Sequence, residues 1–328
     1  MRAVRVTTLG GPQSVELADI DEPTPSSGPD GSVVIDVYAA GVAFPDTLLT
    51  RGLYQYRPEL PFTLGAELAG VVRSAPNDAH VRAGDRVAGL TMIGGAMAET
   101  AAVPAGQVFA LPDNVSFEAG AGLLFNDLTV YFALFTRGRL VQGETVLVHG
   151  AAGGIGTSTL RLAPALGASR VIAVVSTEDK SDVARAAGAT DVVLADGFKD
   201  AVGELTGGAG VDIVMDPVGG DRFTDSLRSL APAGRLLVVG FTGGEIPTVK
   251  VNRLLLNNID VIGVGWGAWT VRHPGALREQ WDGLAELLRA GRLAPPQPEI
   301  YPLADAARAL ESLENRTARG KVVLRVRD

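Results

Sequence analysis

The sequence predicts an α/β protein in which a doubly wound parallel sheet is joined to a separate β-rich domain. Three observations carry that expectation. Six short apolar runs after Glu144 alternate with helix-like segments, whereas the first third of the chain holds short alternating runs broken by Gly, Pro and Asp. At 328 residues and 46% hydrophobic content the chain can fill two cores without disulfides or structural metals.

In order along the chain, VVIDVYAAGV (33–42) and AELAGVVRSA (66–75) read as strands of the β-rich part. The parallel strands are expected at TVLVHG (145–150), RVIAVVS (170–176), DVVLAD (191–196), VDIVMDP (211–217), RLLVVGF (235–241) and IDVIGVG (259–265). Between the first two lies a helix with Ile155, Thr159, Leu162 and Leu166 in register, Pro164 in its last turn and Gly167 as its stop. A second helix is expected from Pro274, with Leu277, Trp281, Leu284 and Leu288 on one face and Gly291 after it. A short helix around 304–315 and a strand at KVVLRV (321–326) close the chain, a tail too short for a domain of its own.

Composition excludes several classes of function. Net charge is −8 with both signs interspersed, which leaves no basic face for nucleic acid. The opening MRAVRVTTLGGPQSVEL lacks a signal-peptide core, and no apolar run is read as reaching the roughly 18 residues of a membrane span, so no membrane partner and a cytoplasmic location are expected. There is no cysteine, which removes thiolate nucleophiles and every Cys-based metal site.

The strand at 145–149 runs into GAAGGIG (150–156) and then a helix, the setting in which a glycine-rich turn takes a pyrophosphate on a helix N-terminus. In the G-x-G-x-x-G frame the residues are Ala151, Gly153 and Gly156, with Gly154 and Ile155 between them. A purely structural tight turn is the other reading. The second strand ends VVSTEDK, with Val175 where NAD enzymes carry an acidic residue, so Ser176, Thr177 and Lys180 suit the 2′-phosphate of NADPH. The rival is that Glu178 or Asp179 turns inward for NADH and Lys180 is a solvated charge. His149, at the end of the first strand, is read as bonded to its surroundings in preference to acting as a base.

With those features in place, GVAFPDTLLTRGLYQYRPELPFTLGAELAGVV (41–72), GETVLVHGAAGGIG (143–156), GVDIVMDPVGGDRF (210–223), GRLLVVGFTGG (234–244) and RGKVVLRV (319–326) resemble, in order, the zinc-free quinone oxidoreductase branch of the medium-chain dehydrogenase/reductase superfamily. The resemblance implies a GroES-like β-domain (1–122), a Rossmann NADPH-binding domain (123–269) and a C-terminal return to the first domain (270–328). It also implies a homodimer joined through the sheet edge at strand 259–265. Zinc-dependent members place ligands where this chain has Ala43, Ala66 and, by its spacing to Thr129, Phe125; none can bind zinc, and Glu67 alone makes no site.

The same resemblance names the site residues. Tyr54 is the aromatic near the nicotinamide, able to donate to an acceptor oxygen, or a tyrosine that only satisfies its own hydroxyl. Asp46 is catalytic or a helix cap. Thr129, Phe241, Thr242 and Arg316 are placed against the cofactor, with an ordinary helix position as the alternative for Thr129 and an exposed arginine without ligand for Arg316. Ala43 and Ala195 stand where relatives have an asparagine and a tyrosine that touch the cofactor, and Trp266 and Trp269 line the acceptor pocket or form a core or subunit contact. The expected chemistry is NADPH-dependent hydride transfer to a quinone without metal. The alternatives are an NADPH-dependent enoyl or alkenal reductase and a nucleotide-binding protein without turnover.

Overall fold

The apolar runs after Glu144 become the strands Thr145–Val148, Arg170–Val175, Asp191–Leu194, Val211–Asp216, Leu230–Val238 and Asp260–Gly263. In the computed structural model, which describes residues 1–25, 31–92, 94–273 and 275–328, they form one sheet. Every pairing in it is parallel. Numbered along the chain, their order across the sheet is 3-2-1-4-5-6, so the chain reverses its winding between Thr145–Val148 and Val211–Asp216. The inner strands are largely buried, as parallel strands covered on both faces are, which is why they read as continuous Val/Ile/Leu runs, while the edges Asp191–Leu194 and Asp260–Gly263 are partly exposed. Leu147, Ile172, Val174, Val214 and Leu236 pack with Phe198, Phe223 and Leu227 from the crossover helices.

The chain divides into two compact units. One comprises residues 1–126, 275–289 and 295–328, the other 127–274 and 290–294. The first is built on a mostly antiparallel sheet ordered Glu299–Pro302, Val322–Arg325, Ser32–Val42, Glu67–Ser74, Arg86–Leu90 and Val108–Ala110, with Thr100–Pro104 also paired to Ser32–Val42. A smaller sheet joins Val15–Asp19, Arg2–Val6 and Phe62–Thr63. The last strand of the chain pairs with the end of the long one, Val322 opposite Val42.

The helix expected from Pro274 runs over Ala276–Arg289 and buries Trp281, Leu284 and Leu288; Pro274 itself lies outside the described residues. In the helix Gly154–Ala165 the buried face includes Thr159 and Leu162 as expected, but also Leu160 and Ala163, while Leu166 caps the end.

The expectation that no apolar run is long enough to span a membrane needs correction. Phe117–Arg137 is 21 residues long with a mean hydropathy of 1.3, and passes that test by length and composition. Its apolar window is 78% buried within the protein, which is the reason for its composition. Two π-helical turns, Leu123–Asp127 and Phe132–Arg137, widen it and break the 3.6-residue repeat by which a helix shows in sequence.

Candidate functional site

In the parallel-sheet unit the glycine turn follows Thr145–Val148 at the point where the winding reverses, the place where open α/β sheets take ligands. Gly150 has φ 58°. A side chain on Gly156 would collide with the Gly150 carbonyl and the Ala151 backbone, so only glycine lets the helix start this close to the turn. Ala151 N–H donates to Val174 O (3.1 Å) and Gly153 N–H to Gly150 O (2.9 Å), which fixes the loop. The helix Gly154–Ala165 then begins at Gly153 with no side-chain cap. Its first N–H groups, on Gly154, Ile155 and Gly156, have no partner of their own within a helix, and a dinucleotide pyrophosphate fits that cradle.

Other expected cofactor residues stand at the same end of the sheet. Ser176 and Thr177 are exposed just past Arg170–Val175, and Lys180 N–H donates to Thr177 O (3.2 Å). Phe241 and Thr242 follow Leu230–Val238. Thr242 N–H and Oγ1 both donate to Pro217 O (3.1 Å each), while the Phe241 ring covers Gly219, leaving no room for a side chain there. Asp216 braces that loop by accepting from Val218 and Gly219 N–H (2.9 Å each). Thr129 is buried in Leu128–Tyr131, which packs against the glycine-turn helix.

Sequence reasoning passed over Asp127. Fully buried, it accepts from Ser158 Oγ (2.6 Å) and takes both of its Arg161 contacts through one guanidinium nitrogen (2.6 and 2.8 Å), anchoring the helix that starts at the glycine turn.

His149 is fully buried. Ser226 Oγ donates to Arg222 O (3.0 Å), so it accepts from His149 Nε2–H (2.8 Å), and Nδ1 has no partner among the described residues. Burial pushes its pKa down to about 4, which leaves it a neutral, tethered ring.

Asp46, Tyr54, Arg316 and the three places compared with zinc ligands belong to the antiparallel unit. There, Ala43, Ala66 and Phe125 line one narrow pocket together with Asp46, Tyr54, Pro45, Leu49 and Met92. Its volume is about 20 Å³, room for one water. The three places where the resemblance puts zinc ligands therefore converge, yet present two methyl groups and a phenyl ring. The donor set does not fit zinc. Among the described residues no cluster of three His, Cys, Asp or Glu side chains stands elsewhere.

Asp46 is 2% exposed, at the third position of helix Phe44–Thr50, and accepts from Ala43 N–H (2.8 Å). Burial raises its pKa to about 6 against the lowering pull of the Ala43 and Gly65 N–H groups and Lys321. Tyr54 is half-buried against the core, and burial followed by the Asp46 carboxylate keeps its hydroxyl protonated above the usual range. Arg316 is not among the residues lining this pocket; it is exposed past helix Ala306–Glu314, in the left-handed region at φ 58°.

Sequence reasoning also missed Lys321 and set Glu67 aside. Lys321 Nζ lies 2.6 Å from Glu67 Oε1 with both side chains almost fully buried (3% and 1% exposed). The signal available was indirect: a charged residue in an apolar strand context, RGKVVL.

Comparison with known proteins bears on both units. Residues 29–113 match the family model "Alcohol dehydrogenase GroES-like domain", and residues 154–289 match "Zinc-binding dehydrogenase". The chain is 36% identical to quinone oxidoreductase-like protein 2 of Bos taurus, covering 93% of this chain and 88% of that one. Among solved structures, a probable oxidoreductase from Mycobacterium abscessus superposes with a TM-score of 0.89 at 43% identity, covering 99% of both chains. The quinone oxidoreductase of Escherichia coli, solved in complex with NADPH, superposes with a TM-score of 0.89 at 30% identity, covering 99% of this chain and 100% of that one.

Proposed function

The chain belongs to the zinc-free quinone oxidoreductase branch of the medium-chain dehydrogenase/reductase superfamily, and from that premise we propose that it reduces quinones with NADPH. The observation that carries the reading is the pocket of Ala43, Ala66, Phe125, Asp46 and Tyr54. It offers an acceptor no metal-ligating atom at the three ligand places but gives it a protonated hydroxyl and a carboxylate. A simple carbonyl there would lack a Lewis acid, whereas a quinone spreads arriving charge onto its own oxygen. Room for one water is also room for one such oxygen.

When bound, the reduced nicotinamide supplies the hydride. In this reading Tyr54 donates a hydrogen bond to the acceptor oxygen, and Asp46, with its pKa near 6, exchanges a proton close to neutral pH. Gly154, Ile155 and Gly156 N–H hold the pyrophosphate. Ser176, Thr177 and Lys180 hold the 2′-phosphate, while Thr129, Phe241, Thr242 and Arg316 contact the rest of the cofactor. An NADPH complex of a relative and the absence of an acidic residue at Val175 support that assignment.

The homodimer belongs to the same proposal. Asp260–Gly263 is one edge of the sheet, and Val251, Leu255 and Leu256, just before it, are 73–76% exposed. Light scattering on the eluting peak at micromolar concentration should return twice the chain mass, and a monomer would remove this part. The test of the activity is NADPH oxidation against a panel of quinones and enones. Turnover of quinones is expected. Faster turnover of enones would move the enzyme to the alkenal reductases, and tight NADPH binding with no turnover would make it a binding protein.

A further inference from the structure

The three segments around the pocket are tied to one another by a pair of charges. Lys321, one residue before strand Val322–Arg325, donates from Nζ to Glu67 Oε1 (2.6 Å) and to Val42 O (3.0 Å), the carbonyl that precedes Ala43. Glu67, the residue after Ala66, accepts on its other oxygen from Phe125 N–H (2.8 Å). One ion pair thus reaches the backbone at or beside all three ligand places. Two glycines make room for it. A side chain on Gly41 would stand 2.6 Å from Glu67 Oε1, and one on Gly122 would stand 3.0 Å from the Lys321 stem. Removing two charges from water is costly, and a buried pair is weak evidence of a gain in stability alone.

We infer that Lys321 and Glu67 are positioning residues for the reaction, holding the Ala43, Ala66 and Phe125 segments at the spacing of the pocket in which Asp46 and Tyr54 stand. The pair crosslinks segments that a metal crosslinks in zinc-dependent relatives, without offering any atom to the acceptor. The inference rests on the reading of that pocket as the acceptor site.

The test compares wild type, Lys321→Met and the double variant Lys321→Met/Glu67→Gln. The single change strands a buried carboxylate and should lower Tm by about 5–15 °C. In the double variant no charge is left unpaired and the introduced amide oxygen can still accept from Phe125 N–H, so Tm should lie within about 5 °C of wild type. Its kcat with a quinone should nonetheless fall tenfold or more, because a small misplacement of reacting groups is costly, while NADPH affinity stays within twofold. Hydrogen exchange followed by mass spectrometry should show segments 42–46 and 121–126 exchanging faster than in wild type, with the sheet strands unchanged. Wild-type kcat and KM in the double variant, or unchanged exchange in both segments, overturns the inference. If wild type oxidises NADPH with no acceptor, the activity reading fails by itself, and the exchange measurement alone decides whether the pair positions these segments.

Discussion

The glycine turn of one unit and the side-chain pocket of the other are made of different material. The glycine turn is backbone: N–H groups, a carbonyl and the missing side chain of Gly156, all within seven consecutive residues. The pocket proposed for the acceptor is side chains, drawn from residues 43 to 125 and braced by a lysine 254 residues from its partner. A backbone site tolerates change in its side chains but not a side chain at Gly156, where none fits. A side-chain site can lose one function and acquire another by substitution, as when ligand places come to hold Ala43, Ala66 and Phe125.

The sharpest way to break this contrast is to put a side chain where the turn has none. Gly156→Ala drives a methyl group into backbone that cannot rotate away, at a cost of roughly 3 kcal/mol or more. NADPH affinity measured by titration should fall at least a hundredfold; an unchanged Kd would mean the cofactor does not use this turn.

The next effect belongs to the pocket. Because Asp46 has its folded pKa raised from 3.8 to about 6, it holds a proton in the folded state that the unfolded chain has released, and its contribution to stability declines as pH rises from about 4 to about 6. Asp46→Asn has no proton to lose. Its stability relative to wild type should improve by about 3 kcal/mol between pH 4 and pH 7, with no further change above. Urea melts of both proteins at four pH values would show this, and parallel curves would place the Asp46 carboxyl in water. If Asp46 also works in the chemistry, the more stable variant is the slower enzyme.

Lys180→Glu probes charge where the turn region meets solvent. Loss of one charge-assisted bond is worth about 1.5–3 kcal/mol, so NADPH affinity should fall about ten- to a hundredfold with NADH nearly unaffected. Equal weakening of both cofactors would return Lys180 to the role of a surface charge. The smallest effect is expected at Arg316, whose left-handed backbone favours glycine. Arg316→Gly should stabilise by about 0.5–1 kcal/mol in the same melts while weakening NADPH severalfold. A gain in stability without any loss of affinity would make the arginine incidental to the cofactor.

The same contrast explains what the sequence disclosed. The parallel sheet was legible because its inner strands are buried and all six appear as apolar runs, and the turn was legible because its chemistry is contiguous. The segment Phe117–Arg137 was not, since its π-helical turns erase helical periodicity. The Lys321–Glu67 pair was obscure for a different reason: the apolar context RGKVVL marks the lysine only indirectly, and the pairing of Val322 with Val42 is what brings it to Glu67. Asp46 was ambiguous between cap and catalyst, and the structure gives it the cap's hydrogen bond with a burial that alters its titration.

The tethering of His149 has a practical consequence. The chain contains three histidines, and this one is held as the Nε2–H tautomer beside the turn, neutral down to about pH 4. Its ring nitrogens should therefore give two ¹⁵N resonances that stay fixed across the working pH range. Against that constant background, any displacement on adding a nucleotide would report occupancy of the neighbouring loop, so a resident spectroscopic probe is available without an attached label or a mutation.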